Sequence, residues 1–282
     1  MSFSGHSARK RFGQHWLKDV AILEKIVEAA ELCENDRVLE IGPGRGALTH
    51  KLLNSKVSLV HAIELDTDLV VGLRERFFHE TRFSLKGGDA LKISLLPPDG
   101  IEVNKVVANI PYNITSPLLE RLIGKLGFFP ETRYERLVLL LQKEVADRIL
   151  AMPGQSSFSA MSVRVQLLCK SRSVCDVSPK CFKPSPKVHS KVVVIEPFAF
   201  SERLNVDIEK RVESLLRTAF LGRRKKLRNT LASIRPLNQL ESLADQLGIS
   251  LNQRPQEISP MMWVSLAKRI HDMDKLVGEI QS

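Results

Sequence analysis

Asn109, Pro111 and Tyr112 close the run Val106-Val107-Ala108-Asn109-Ile110-Pro111-Tyr112 and together offer a carboxamide, a rigid carbonyl and an aromatic ring. Such a set can hold a flat base that carries an amine. The amide oxygen and the carbonyl accept its two hydrogens, and the ring stacks on its face. The β-branched residues before Asn109 read as a buried parallel strand, which Pro111 forbids from continuing. The polar group therefore lies at a strand's carboxyl end, where ligands bind in open α/β sheets. An ordinary Asn-x-Pro turn with a tyrosine packed over it fits the same residues, so the motif alone leaves both readings open.

A second constellation lies upstream. Leu39-Glu40-Ile41-Gly42-Pro43-Gly44-Arg45-Gly46 runs from a strand through a glycine-rich turn into a helix. Glycines such as Gly42 and Gly44 let a ligand approach the backbone closely. A dinucleotide fingerprint reads Gly-x-Gly-x-x-Gly, whereas here a single residue separates the second and third glycines, which speaks against a nicotinamide dehydrogenase. The loop looks like that of methyltransferases that use S-adenosylmethionine. Glu64 ends the next strand, near the roughly 20-residue offset at which an acid meets a ribose in nucleotide-binding units. Asp89 follows the third strand and is placed to accept from an adenine amine. Each acid alone is more often a surface residue or a helix cap. Consecutive strand ends carrying Gly, Glu and Asp point to a cofactor site.

The elements that must position these groups alternate. Strands are expected at 37–41, 58–64, 82–85, 105–108 and 136–141, with helices at 46–53, 68–78 and 116–124, the pattern of repeated βα units and a parallel sheet. Two β-rich runs, 163–173 and 187–196, suggest an antiparallel hairpin added to the sheet, joined by the proline-rich stretch 178–186. After residue 197 the periodicity becomes helical, at 208–219, 240–247 and 260–270. The expected class is α/β: a Rossmann-like methyltransferase sheet with a C-terminal hairpin strand pair, over 1–197, plus a small all-α RNA-binding domain over 198–282. Residues 1–18 form a basic N-terminal segment.

Composition narrows the partners. The 282 residues are 43% hydrophobic, enough for a sizeable core, and 42 Lys plus Arg against 32 Asp plus Glu give a formal charge of +10. That excess favours a polyanion, nucleic acid before a membrane surface. No apolar run approaches the roughly 20 residues of a membrane span, and the start is polar and basic, so a cytoplasmic protein is expected. Cys33, Cys169, Cys175 and Cys181 match neither zinc-site spacing nor a secreted disulfide scaffold, and no metal is expected.

Taken in order, the motifs resemble those of the small-subunit ribosomal RNA adenine N6,N6-dimethyltransferases, the family linked to kasugamycin sensitivity. The resemblance runs from Arg11-Phe12-Gly13-Gln14-His15-Trp16-Leu17 through the glycine loop, Glu64-Leu65-Asp66, Gly88-Asp89-Ala90 and the Asn109 motif. It continues through Phe182-Lys183-Pro184-Ser185-Pro186-Lys187-Val188 to Ala219-Phe220 and Arg223-Arg224-Lys225-Lys226-Leu227-Arg228-Asn229. It implies that His15, Leu17, Gly42, Glu64, Asp89 and Asn109 line the cofactor. It implies two methyl transfers to each of two adjacent adenosines in the 3′-terminal hairpin of small-subunit rRNA, a role in subunit biogenesis, and a monomer. Two positions depart from the family: His15-Trp16 stands where it usually has Asn-Phe, and His189 where it usually has Asp.

An adenine amine is a poor nucleophile because its lone pair is delocalised into the ring. Acceptors at the Asn109 oxygen and the Pro111 carbonyl favour a pyramidal nitrogen, so positioning is the main contribution and no strong general base is required. Tyr112 stacks on the base, and Phe182, from the proline-rich loop, covers its other face. The alternative for Phe182 is a loop anchor in a hydrophobic cluster. The span 217–230 holds six basic residues and no acid, of which Arg223, Arg224, Lys225, Lys226 and Arg228 suit phosphates. A solvated helix face has the same composition. Arg9, Lys10 and Arg11 offer a second RNA contact. Competing readings are an erythromycin-resistance-type large-subunit rRNA methyltransferase, and a ribosome-assembly or mitochondrial transcription factor with secondary catalysis.

Overall fold

The computed structural model describes Arg9 and residues 14–280, the last five by backbone alone. Lys10 and Arg11 lie outside the described residues. The first elements are β1 (Trp16–Leu17), α1 (Val20–Ala29), β2 (Arg37–Ile41), α2 (Ala47–Leu53), β3 (Leu59–Glu64), α3 (Thr67–Arg76) and β4 (Phe83–Gly87). There follow β5 (Lys105–Asn109), α4 (Thr115–Ile123), β6 (Arg136–Gln142), α5 (Lys143–Leu150), α6 (Ala160–Leu168), β7 (Cys169–Val177), β8 (Phe182–Lys183) and β9 (Ser190–Pro197). Helices α7 (Val206–Phe220), α8 (Leu227–Thr230), α9 (Leu237–Gln246) and α10 (Pro260–Ile280) complete the chain. None of the described helices is long and apolar enough to cross a membrane.

One sheet has seven strands in the order β4-β3-β2-β5-β6-β9-β7. The five strands from β4 to β6 are parallel, and β9 runs antiparallel to β6 with Val194 opposite Val138. The apolar runs of β5 and β6 are buried along nearly their whole length, as strands covered on both faces must be. Strand order reverses at β2, which pairs with β3 on one side and β5 on the other. The carboxyl ends of β2 and β5 therefore flank the crevice where such sheets bind ligands. A separate two-stranded sheet joins β1 to β8, with Trp16 opposite Lys183 and Leu17 opposite Phe182.

The chain forms two compact units. The first comprises Met1–Ile123, Pro130–Ala146 and Ser171–Pro197, and the second Gly124–Phe129, Asp147–Lys170 and Phe198–Ser282. The second unit thus takes in 124–129 and 147–170, which the division at residue 197 assigns to the first. The core of the second unit gathers Leu215, Leu216, Leu240 and Trp263, all fully buried.

The β-rich run expected at 163–173 is instead the end of α6 followed by β7. Ser159 and Ser162 form a reciprocal capping box that starts α6, and the Ser162 hydroxyl also donates to the Arg148 carbonyl. The local cap and burial of Val163, Val165, Leu167 and Leu168 override the strand preference of its valines. Strand β7 lies beside β9 at the sheet edge. All four cysteines are free, with Cys33 exposed and Cys169 buried.

Candidate active site

Three strand ends meet at the crevice: β2 at Ile41, β3 at Glu64 and β5 at Asn109. They line a cavity of about 210 Å³ together with Gly42, Gly44, Asp89, Pro111, Tyr112 and His15. Eight of the residues singled out from sequence are thus brought together, and Leu17 and Phe182 are not among them.

The loop's shape follows from its glycines. Gly42 and Gly44 have φ of +70° and +59°, and a Cβ on Gly44 would lie 2.7 Å from Cδ1 of Trp16. The Gly42 N–H donates to the Ile63 carbonyl at 2.9 Å, tying the loop to β3. Glu64 closes the arrangement. Its Oε2 accepts from the Gly44 N–H at 3.1 Å and its Oε1 from the Asp66 N–H at 2.9 Å. Burial raises the Glu64 carboxyl above the usual carboxylate range, and the two backbone donors oppose that rise. Asp89 is partly exposed. Its Oδ1 accepts from the Leu91 N–H at 2.9 Å, and its other oxygen lies 3.6 Å from the Lys92 ammonium.

The carboxamide of Asn109 has a fixed sense. Its Nδ2 donates to the His15 carbonyl at 3.0 Å, which leaves Oδ1 as the free acceptor. The Pro111 carbonyl is more occupied, because it accepts from the Ile114 N–H at 3.1 Å and lies 3.5 Å from the Thr115 hydroxyl. Asn109 is therefore the stronger of the two acceptors. Tyr112 is half-buried with its hydroxyl 2.7 Å from Ser190 Oγ, and burial raises its phenol. A phenol titrating above its ordinary range near 10 is a stacking surface rather than a base. The His15 ring stacks on it, with centroids 5.6 Å apart and planes 26° apart.

The segment carrying His15 is tied down along its length. Gln14 Nε2 donates to Asp66 Oδ2 at 2.9 Å, and Arg9 donates to Asp66 Oδ1 at 2.9 Å and also to Asp68. Arg9, expected to meet RNA, is thus committed to two carboxylates of its own chain. The Arg45 guanidinium lies 4.1 Å over the Trp16 ring. Leu17 turns into the core opposite Phe182. Phe182 is 2% exposed. Its ring packs in the hydrophobic core, as a loop anchor does, and no part of it lines the cavity. His189 is exposed, and its carbonyl accepts from the Lys143 N–H at 2.9 Å.

Three further groups support the site. Asp66 follows Glu64 by two residues and caps α3, so its acidic type at a helix start was a usable signal. Ser190 gives no local signal. Glu40 is 1% exposed, and its Oε2 has no hydrogen-bond partner. It lies in the wall of a second cavity of about 340 Å³, shared with Trp16, Pro43 and Lys183. Burial pushes its carboxyl up to about 8, and the nearby Glu64 adds to the rise.

In the second unit, the basic cluster occupies the turn between α7 and α8 and the start of α8, rather than one helix face. Arg223 donates to the Ser156 carbonyl and, at 3.0 Å, to the Phe158 carbonyl. Lys226 donates to Asn252 Oδ1 at 3.1 Å, and Arg228 lies 3.6 Å from Glu241. Arg224 and Lys225 are exposed.

The family model described as ribosomal RNA adenine dimethylase matches residues 5–272. A protein of Prochlorococcus marinus named ribosomal RNA small subunit methyltransferase A is 64% identical over 98% of this chain and 99% of its own. A protein of the same name from a Synechococcus species is 57% identical over 99% of this chain and 100% of its own. Among solved structures, a dimethyladenosine transferase from Plasmodium falciparum is 29% identical with a TM-score of 0.78, over 92% of this chain and 98% of that one. The 23S rRNA methyltransferase ErmE is 27% identical with a TM-score of 0.71, over 90% and 98%. The sheet with its crevice, the Asn109 turn and the match over nearly the whole length place this chain in the ribosomal RNA adenine dimethylase family.

Proposed function

We propose that the protein transfers methyl groups from S-adenosylmethionine to N6 of adenine in small-subunit rRNA, forming N6,N6-dimethyladenosine at two adjacent adenosines of the 3′-terminal hairpin. The observation that carries this reading is the oriented Asn109 oxygen, set in the same cavity as Tyr112, the glycine loop, Glu64 and Asp89.

The residues present fit the cofactor. Gly42 and Gly44 line the cavity with backbone alone, and Glu64 and Asp89 are acceptors suited to a ribose diol and an adenine amine. When bound, the cofactor supplies an electrophilic methyl group on a sulfonium. Glu64, rigidly placed by two backbone donors, would hold the ribose, Asp89 the adenine, and Gly42, Gly44 and the backbone of His15 the remainder. Asn109 Oδ1 accepts one hydrogen of the target amine and the Pro111 carbonyl the other, which localises the nitrogen lone pair. Tyr112 stacks on the base. Catalysis is then chiefly orientation, and Asn109 and Tyr112 do not act as general bases.

A base reached in this way must leave its helix, so the surrounding RNA must be held. The exposed turn bearing Arg224 and Lys225 suits phosphates, with Arg223, Lys226 and Arg228 beside it. The reading implies a monomer acting in the cytoplasm during small-subunit biogenesis.

The test is incubation with radiolabelled S-adenosylmethionine and separate small and large subunits lacking the modification, followed by mapping of labelled nucleosides. Dimethyladenosine in small-subunit rRNA is expected. Label confined to the large subunit, or no label in either, overturns the reading.

A further inference from the structure

We infer that His15 is a positioning residue for the target base, acting through the Tyr112 ring, and that its imidazole matters more for the second methyl transfer than for the first. The inference rests on the adenine reading above and names how that site handles its own intermediate.

The imidazole is fixed at one atom. His15 Nδ1 lies 2.8 Å from the Pro184 carbonyl, and because a carbonyl only accepts, Nδ1 carries the hydrogen. So anchored, the ring stacks on Tyr112. The phenol is held from a second direction, since its hydroxyl bonds to Ser190 Oγ at 2.7 Å and Ser190 is fully buried. Tyr112 is therefore pinned at its hydroxyl and backed by the imidazole on one face, and the inference puts the base on the other. An asparagine at position 15 can bond to Pro184 but cannot stack. The main-chain carbonyl of residue 15, which orients Asn109, is independent of the side chain.

The two transfers make unequal demands on this stack. Each forms one N–C bond, breaks one C–S bond and releases one amine proton to water. Before the first transfer the amine has two N–H groups for two acceptors, Asn109 Oδ1 and the Pro111 carbonyl. Before the second, one N–H has become N–CH₃. One acceptor then has no hydrogen to receive, and the methylated base is held to a greater extent by stacking on Tyr112. Loosening Tyr112 should therefore slow the second transfer more than the first.

The experiment measures single-turnover rates on small subunits that carry unmodified or N6-monomethylated target adenosine, for wild type, His15→Asn and His15→Phe. Thermal unfolding of each variant checks the fold. In His15→Asn, which keeps a hydrogen-bonding side chain without the stack, the second transfer is expected to slow by about three- to tenfold, the size of one aromatic pair. The first should slow less, so that N6-monomethyladenosine accumulates. In His15→Phe, which keeps the stack alone, the ratio of the two rates should stay near that of wild type. Equal slowing of both transfers in His15→Asn, or no slowing, overturns the inference. Wild-type protein that methylates neither substrate overturns instead the reading on which it rests.

Discussion

Asn109 at the end of β5 gives its amide hydrogen to the main-chain carbonyl of His15, and this one bond of 3.0 Å decides which atom of the carboxamide faces the cavity. Strand and N-terminal segment thus jointly define a hydrogen-bond acceptor, although neither carries it alone. The carbonyl of Pro111, already engaged by the Ile114 N–H, is the lesser partner.

Replacing Asn109 by alanine should therefore remove the main acceptor for the amine. Methyl transfer is expected to fall by about 10²–10³-fold, the usual loss when one preorganised polar partner of a transition state is deleted. RNA affinity, measured by filter binding, should stay within about twofold. Undiminished formation of dimethyladenosine would show that the oxygen does not touch the amine.

Phe182 separates packing from stacking. Its ring is buried among Leu17, Val177 and their neighbours, so Phe182→Ala should cost about 3–5 kcal/mol of stability through the cavity it leaves. Phe182→Leu keeps most of the volume without an aromatic face. It should recover most of that stability in denaturant unfolding and retain most of the activity. A Leu variant that folds normally yet fails to methylate would restore a direct role for the ring.

The basic turn divides into anchored and exposed cations. Arg223 holds the carbonyls of Ser156 and Phe158, so its loss confounds binding with folding. Arg224→Ala combined with Lys225→Ala is the cleaner change. It should flatten the dependence of log affinity on log salt by about 0.7–0.9 for each phosphate contact removed. An unchanged slope would mean that neither side chain meets phosphate.

Glu40 gives a pH signature. Its carboxyl titrates at about 8 in the folded protein against an ordinary value of 4.5, so the folded state binds this proton more tightly than the unfolded state does. The stabilisation is complete below pH 4.5, declines as pH rises, and is gone above about 8. His61, lowered to about 4 by burial, works in the opposite sense, its share being lost as pH falls. Subtracting the unfolding free energies of Glu40→Gln from those of wild type between pH 5 and 9 isolates Glu40. The difference should shift in favour of the variant as pH rises, by up to several kcal/mol. A flat difference would show that Glu40 is charged in the folded state.

The parallel strands were legible because each carries a short apolar run bounded by turn residues, and Gly42, Glu64, Asp89 and Asn109 were legible because they fall at the ends of those runs. Helix α1 carries a local signal of its own: Asp19 accepts from the Ile22 N–H as its cap, and Leu23, Ile26 and Ala29 recur on one face. Helix α6 misled because it is buried on several sides, so its apolar residues show no helical stripe. The β1–β8 pair could not be seen at all. Two residues at each end carry no period, and their pairing is settled by contacts between distant parts of the chain. The same holds for Phe182, whose aromatic type suits a base-stacking surface and a core equally well.

That small β1–β8 sheet bears on when the protein becomes competent during synthesis. Its first strand is made well before its second, and the strand pairing of Trp16 waits for Lys183. Closing so long a stretch is entropically costly and raises the contact order of the first unit, so this contact forms late. The cavity wall that includes His15 and Trp16 then comes into place only after the central strands have been made, and a nascent chain stopped before residue 182 should fail to retain the methyl donor.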